Sequence, residues 1–295
     1  MALSVSTNVA AINAQRHLLS STNALGTTFQ RLSSGLRINS AKDDAAGLSI
    51  STRMTAQIRG TNQAVRNAND AISLVQVAEG ALEETGTALQ RIRELAVQAS
   101  NDTLTSGDRN DLQKEVAQLM SEIQRISDNT QFNEKILLGG STALGSGTSF
   151  NGNFHIGEDA NQTLNVVISM ANLGTLGLAS YGSLATLNDV VTSGAKFNIS
   201  AQVNAESAIA VIDAALNSVS EIRAGLGAVL NRLDSVINNL TNVSENTTAA
   251  RSRILDADIA AETANLTKQS ILQQAGTAIL AQANQQPQIA LRLLG

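Results

Sequence analysis

The residues of this 295-residue chain with chemical potential are few, and their spacing argues against its use. Asp256, Asp258 and Glu262 gather three carboxylates, the raw material of a divalent-cation site. The segment lacks the further oxygen ligands a calcium loop needs, and acids in the first turn of a helix explain the cluster without a metal. Asp43-Asp44 take the same reading ahead of another helix. His17 and His155 are the two histidines, neither has a second His at ligand spacing, and the chain has no cysteine. The glycines Gly139, Gly140, Gly145 and Gly147 fit no phosphate-binding fingerprint, because no Lys-Ser or Lys-Thr follows and no helix is expected there. No nucleophile, base and orienter can be assembled from this residue set. The sequence therefore predicts no enzyme, no metal and no cofactor.

What remains is the framework. A net charge of -5 disfavours a nucleic-acid partner, and no apolar run of transmembrane length is present, so membrane insertion is not expected. The first residues show neither the basic nor the apolar segment of a cleavable secretory signal. Only 2% of residues are aromatic and one is proline, while Ala, Leu, Ile and Val dominate the apolar set. That composition suits long helices better than a rounded core. All 25 acidic residues fall between Asp43 and Glu262. Residues 1–42 carry only Arg16, Arg31, Arg37 and Lys42, and residues 263–295 only Lys268 and Arg292.

Periodicity turns these twin ends into helices. Leu18, Leu25 and Leu32 recur every seven residues, with Phe29 and Leu36 four beyond the last two. A break at Ser33-Ser34-Gly35 and a capping-rich connector lead to a helix from about Ser49 to Asn101. Its rows are Ile58, Val65, Ile72 and Val75, Leu82, Leu89. A third helix carries Leu112, Val116, Leu119, Ile123 and Ile126. Alternation at Phe154, Ile156, Leu164, Val166 and Ile168 predicts a β-hairpin turning near Glu158 to Gln162. Helix returns from about Ala205 to Val243, with Ile212, Val219, Leu226, Leu233 and Leu240 on one row and Ile222, Val229, Val236 and Val243 on another. A last helix, from about Ser252 to Asn284, carries Ile254, Ile259, Leu266, Ile271, Leu272, Ile279 and Leu280 and is expected to end before Pro287. The fold class predicted is mainly α: an elongated antiparallel, coiled-coil-like rod with a small β-hairpin region near residues 140–200. Its terminal stripes need cover, and copies of the same chain supply it most simply; non-closing contacts between such copies build a helical filament.

Two blocks of sequence sharpen this reading. The first is Arg31-Leu-Ser-Ser-Gly-Leu-Arg-Ile-Asn-Ser-Ala-Lys-Asp-Asp-Ala-Ala-Gly-Leu48, continued by Arg53-Met-Thr-Ala-Gln-Ile-Arg-Gly60 and Gln63-Ala-Val-Arg-Asn-Ala-Asn-Asp70. The second is Ala250-Arg-Ser-Arg-Ile-Leu-Asp-Ala-Asp258, Glu262-Thr-Ala-Asn-Leu-Thr-Lys268 and Ile271-Leu-Gln-Gln-Ala-Gly276. With these the chain resembles the bacterial flagellins, over about residues 1–140 and 205–295.

The resemblance implies an inner domain of residues 1–42 with 255–295 and an outer domain of residues 43–254, including the hairpin and a short variable region, 140–200. It implies a structural, self-assembling filament subunit for motility, exported unfolded through the flagellar type III apparatus to the extracellular flagellum. Its partners would be itself, an export chaperone, and the filament cap and hook-associated proteins. The alternative is a hook-filament junction or adaptor protein. Subunit packing falls to Leu18, Leu25, Phe29, Leu32, Leu36, Leu266, Ile271, Leu272, Ile279 and Leu280. Arg91-Ile-Arg-Glu-Leu-Ala-Val-Gln98 is similar to the segment read by the host Toll-like flagellin receptor, which carries Gln90, Arg91, Leu95 and Glu115 over as recognition residues. The resemblance also admits O-linked glycosylation on Ser and Thr between Ser141 and Ser200.

Overall fold

The computed structural model describes residues 7–139, 149–178 and 197–294, with residues 286–294 described through their backbone. The glycine stretch at Gly140, Gly145 and Gly147 and most of the Ser and Thr residues considered for glycosylation lie outside them. Among the described residues five helices dominate, α1 Val9–Ser34, α2 Ala45–Ala99, α3 Ser106–Asn129, α4 Gln202–Leu255 and α5 Ile259–Leu294. Two antiparallel hairpins lie between α3 and α4: β1 Gln131–Phe132 with β2 Lys135–Ile136, and β3 Phe150–His155 with β4 Thr163–Ile168. The chain is thus mainly α with a small antiparallel insert. It packs as two units, Met1–Arg59 with Ser244–Gly295, and Gly60–Val243.

In the Gly60–Val243 unit, α2 buries an unbroken 4-3 ladder from Ala64, Ala68, Ala71 and Val75 through Ala78, Leu82, Thr85 and Leu89 to Ile92, Ala96 and Ala99. The predicted row of Val75, Leu82 and Leu89 sits at its centre, whereas Val65 and Ile72 flank it half-buried. Alanines take the seam because small side chains let helix axes approach. From α4, Ala205, Ala208, Ile212, Ala215, Val219, Leu226 and Leu233 complete the core. Arg93 Nε donates to Asp213 Oδ1 at 2.7 Å and Arg223 approaches Glu79 at 3.9 Å, so α2 and α4 run antiparallel.

Helix α3 starts at a capping box, in which Thr105 Oγ1 accepts from the Asp108 amide at 3.3 Å and Asp108 Oδ2 accepts from the Thr105 amide at 2.9 Å. Its buried face is Gln113, Val116, Met120, Ile123 and Ser127, with the predicted Leu112, Leu119 and Ile126 half-buried beside it. The β3–β4 hairpin has the expected alternation, with Leu164, Val166 and Ile168 buried and Thr163, Asn165 and Val167 outward. Asn67 Nδ2 donates to the His155 carbonyl at 2.9 Å and Thr61 Oγ1 to Glu158 Oε2 at 3.1 Å, which pins the hairpin tip to α2.

Several boundaries differ from expectation; the last helix starts at Ile259 and not near Ser252, and Ile254 belongs to α4. Helix α4 continues past Val243 to Leu255 because the Asn and Thr residues there weaken a helix by well under about 1 kcal/mol each and none breaks it. Helix α5 continues past Pro287 to Leu294; a proline removes its own amide donor and crowds one carbonyl, and the helix resumes beyond it. Helix α2 begins at Ala45, where Asp44 Oδ1 accepts from the Gly47 amide at 2.9 Å. The β1–β2 hairpin was not expected. Its turn residues Asn133 and Glu134 both have positive φ, 47° and 65°, as a two-residue hairpin loop requires. Among the described residues no helix is long and apolar enough to cross a membrane.

Candidate assembly surface on the terminal helices

Helices α1 and α5 pair antiparallel within one unit. The register is fixed at several levels. Asn8 Nδ2 donates to the Ala283 carbonyl at 2.7 Å, Leu18 lies against Gly276, and Ser21 Oγ meets the Gln269 carbonyl at 3.3 Å and Oε1 at 3.2 Å. On α1 the seam alternates Ala14, Ser21 and Thr28, which are buried, with Leu18, Leu25 and Leu32, which are half-buried. On α5 it runs Glu262, Leu266, Gln269, Gln273, Gly276, Leu280 and Ala283 in the same 4-3 order. The leucine row was legible in the sequence. The small and polar row that carries the closest contact was not, since Ala, Ser and Thr give no hydrophobic signal.

The pair leaves large apolar side chains uncovered. Val9, Ile12, Leu19 and Phe29 on α1 are 50–65% exposed, and Ile271, Leu272 and Ile279 on α5 are 47–59% exposed. Of the ten residues assigned to subunit packing, Phe29, Ile271, Leu272 and Ile279 therefore face out. Leu18, Leu25, Leu32, Leu266 and Leu280 are spent partly on the α1–α5 seam, and Leu36 lies half-buried where the connectors meet. Val9, Ile12 and Leu19 are exposed residues that the leucine periodicity did not select.

At the end of α1, Gly35 adopts φ 70° and its amide closes on the Arg31 carbonyl at 2.9 Å. The connectors then bridge each other: the Arg37 amide donates to the Leu255 carbonyl at 2.7 Å and the Ala257 amide to the Gly35 carbonyl at 2.9 Å. Asp258 Oδ1 accepts from the Ala260 and Ala261 amides at 2.9 and 3.1 Å, capping α5, while Asp256 accepts from the Ser252 hydroxyl at 2.6 Å. These carboxylates serve backbone and hydroxyl donors. Among the described residues no group of three or more His, Cys, Asp or Glu could hold a metal. His17 and His155 are both exposed.

Asp43 organises the first connector. Its Oδ2 accepts from the Ser40 hydroxyl at 3.0 Å and from the Ser40 and Asn39 amides at 2.9 and 3.1 Å. The Ser40 hydroxyl, then the two amides, hold its carboxyl below the usual aspartate value. A depressed folded value means that its contribution is complete above the unfolded value of about 3.9 and is lost as pH falls through the folded one. Hydrogen exchange should accordingly show Ser40 and Asn39 amide protection falling on acidification below about pH 4. The Asp43→Asn variant should show reduced protection already at neutral pH; full protection there would remove the carboxylate from this role.

On the other unit, Arg91 donates from Nε to Glu115 Oε1 at 2.9 Å and from a terminal nitrogen to Glu94 Oε2 at 3.0 Å. Glu115 first, then Glu94, raises its pKa further. Gln90 and Arg91 are exposed and Glu115 is half-exposed, so these three share an accessible region. Leu95 does not join them: it is 1% exposed, inside the core beside Ile92 and Ala96. Leu95, carried over with them by resemblance, is thus set apart from Gln90, Arg91 and Glu115 by its burial next to the ladder of α2.

Comparison with known proteins agrees with this architecture. Residues 5–143 match the bacterial flagellin N-terminal helical region and residues 209–294 the bacterial flagellin C-terminal helical region. The flagellin of Bacillus subtilis (strain 168) is 46% identical across 97% of this chain and 98% of its own. That of Halalkalibacterium halodurans is 47% identical, again across 97% and 98%. The fold is shared with the structure of a putative flagellar hook-associated protein from Vibrio parahaemolyticus, at TM-score 0.57 and 15% identity, covering 72% of this chain and 100% of that one. At that identity the likeness is one of fold alone and does not favour the junction-protein alternative. Both terminal regions match in order, and the relatives at nearly half identity run the whole length, so the chain belongs to the bacterial flagellin family, the structural subunits of the flagellar filament.

Proposed function

We propose that the chain performs its structural work by polymerising through its terminal helices. Residues 1–42 with 255–295 form the inner, subunit-packing domain, and residues 43–254 the outer one. The observation that carries this reading is the row of bulky apolar side chains left exposed on a pair of helices already matched to each other. A single exposed leucine is ordinary, but several on one helix pair mark a contact surface. The absence of acidic residues from 1–42 and 263–295 supports it, since no carboxylate of those segments needs desolvation on packing.

Export as an unfolded chain by the flagellar type III apparatus, chaperone capture of α5 before assembly, and growth beneath a cap, starting from hook-associated proteins, complete the proposal. The family is a structural one, and no catalytic role is proposed. Recognition by a host Toll-like flagellin receptor is proposed through Gln90, Arg91 and Glu115, with Leu95 supporting α2 from beneath.

Seeded polymerisation of the purified full chain, followed by light scattering and negative-stain electron microscopy, tests the central reading. Long uniform filaments are expected. Stable monomers, or short caps that stop seed growth, would transfer the chain to the hook-filament junction class.

A further inference from the structure

The turn of the β3–β4 hairpin and helix α4 enclose a groove of about 440 Å³ within the Gly60–Val243 unit, the size of a ligand site. Half-buried Ile156, Val236 and Leu240 supply its apolar lining, and exposed Asn161, Asn239 and Arg232 stand among its polar residues. No acid lines it, and among the described residues Arg232 makes no hydrogen bond or ion pair. By contrast Arg91, Arg93, Arg125 and Arg223 of the same unit each pair with a carboxylate. A sheet edge opens beside the groove. The Ile156 amide donates to the Gln162 carbonyl at 2.9 Å, and the register runs on through His155 opposite Thr163 to Asn151 opposite Val167. Bonded pairs alternate with non-bonded ones in an antiparallel ladder, so the backbone groups of Thr163, Asn165 and Val167 point away from β3. On β3 the corresponding His155 carbonyl is taken by Asn67 of α2 at 2.9 Å. On β4 the amides and carbonyls of Asn165 and Val167 have no partner among the described residues, and Thr163, where that edge begins, lines the groove. The strand has no charge and no proline to blunt its edge, and Val167 on it is 50% exposed.

We propose that the groove and the β4 edge together bind an extended peptide segment of another protein. The peptide adds as a strand to Asn165 and Val167, its apolar side chains on one face meet Ile156, Val236 and Leu240, and one side-chain carboxylate meets Arg232. In strand addition main-chain pairing supplies affinity, and pockets for alternate side chains supply specificity. An open edge calls for a ligand with a donor and an acceptor at every second residue, which a small molecule lacks. One carboxylate rather than several suits the charge: acids outnumber bases in this unit, so a polyanion is repelled at range while Arg232 takes a single acid at contact. The terminal segments of a second copy do not match this chemistry, because residues 1–42 and 263–295 contain no acid. The inference is independent of the self-assembly reading, which uses those segments.

Panning a display library of random nonapeptides on the immobilised full-length chain tests this. Enriched peptides should alternate apolar and polar residues and carry a single Asp or Glu. Synthesised with a fluorescent label and an amidated end, they should bind the chain by anisotropy and lose about tenfold in affinity on Arg232→Ala, the loss of one charge-assisted contact. Arg232 is exposed and unpaired, so this substitution should leave the thermal melt unchanged. Backbone N-methylation at alternate residues of the peptide reads the edge pairing: one register should abolish binding and the other change it by less than about twofold. Absence of enrichment, as when a segment of this chain already fills the groove, would overturn the proposal. So would enriched peptides without an acid, equal binding by Arg232→Ala, or equal effects of the two methylation registers. Displacement of the peptide during seeded growth would give the groove to a second copy and overturn it as well.

Discussion

Removal of residues 263–295 is expected to abolish seeded filament growth while leaving a soluble, helical protein. The deletion takes away nearly all of α5, including the exposed Ile271, Leu272 and Ile279. It also strips α1 of its partners, since Gln269, Gly276 and Ala283 supply the contacts to Ser21, Leu18 and Asn8. Most of a helix's stability in a protein comes from the packing of one face, so α1 loses order together with its partner. Removing residues 1–42 acts symmetrically on α5. The core of the other unit is untouched, because its buried cluster runs from Ala68 to Leu233. Light scattering on seeds reads the loss of growth, and circular dichroism with a thermal melt reads the retained core. Growth of either truncated chain at the full-length rate would place the assembly surface elsewhere.

How much of this could be read from residues alone depended on how bulky the informative residues are. Val75, Leu82 and Leu89 announced the core face of α2, and Ile212, Val219, Leu226 and Leu233 that of α4. The alanines between them, Ala68, Ala71, Ala78, Ala96 and Ala99, are as deeply buried but carry no hydrophobic contrast on a helix rich in alanine. The same blindness hid the Ala14, Ser21 and Thr28 row of α1. Alternation of large residues made the β3–β4 hairpin visible. The β1–β2 hairpin has two residues per strand and an Asn-Glu turn, too short for a period and without the Gly that marks such turns. Motif likeness located Arg91 and Glu115, which do meet, yet likeness cannot weigh burial, and it grouped Leu95 with residues that face solvent. The outward faces of α1 and α5 were underdetermined for a related reason. A seam leucine and a surface leucine look identical in sequence until the register of the partner helix is known.

That distinction predicts unequal responses along one heptad row of α4. Leu226 is 1% exposed and belongs to the central cluster, while Leu240, two heptads on, is half-buried and borders a shallow groove with Arg232 and Asn239. Leu226→Asp removes a well-packed side chain and puts a carboxylate inside the apolar cluster. The buried charge and the lost packing together should cost more than about 4 kcal/mol, much of the stability of a typical domain. Leu240→Asp keeps water access and has a guanidinium at the same groove, so its cost should stay near 1 kcal/mol, the ordinary range for partly exposed sites. Urea denaturation of full-length variants, with helicity as the signal, separates them. Leu226→Asp should lose most of its transition midpoint or be unfolded in buffer, and Leu240→Asp should shift only slightly. Equal shifts would mean that the row is buried uniformly. An unchanged midpoint for Leu226→Asp would remove that residue from the core and, with it, the heptad ladder by which α2 and α4 pack.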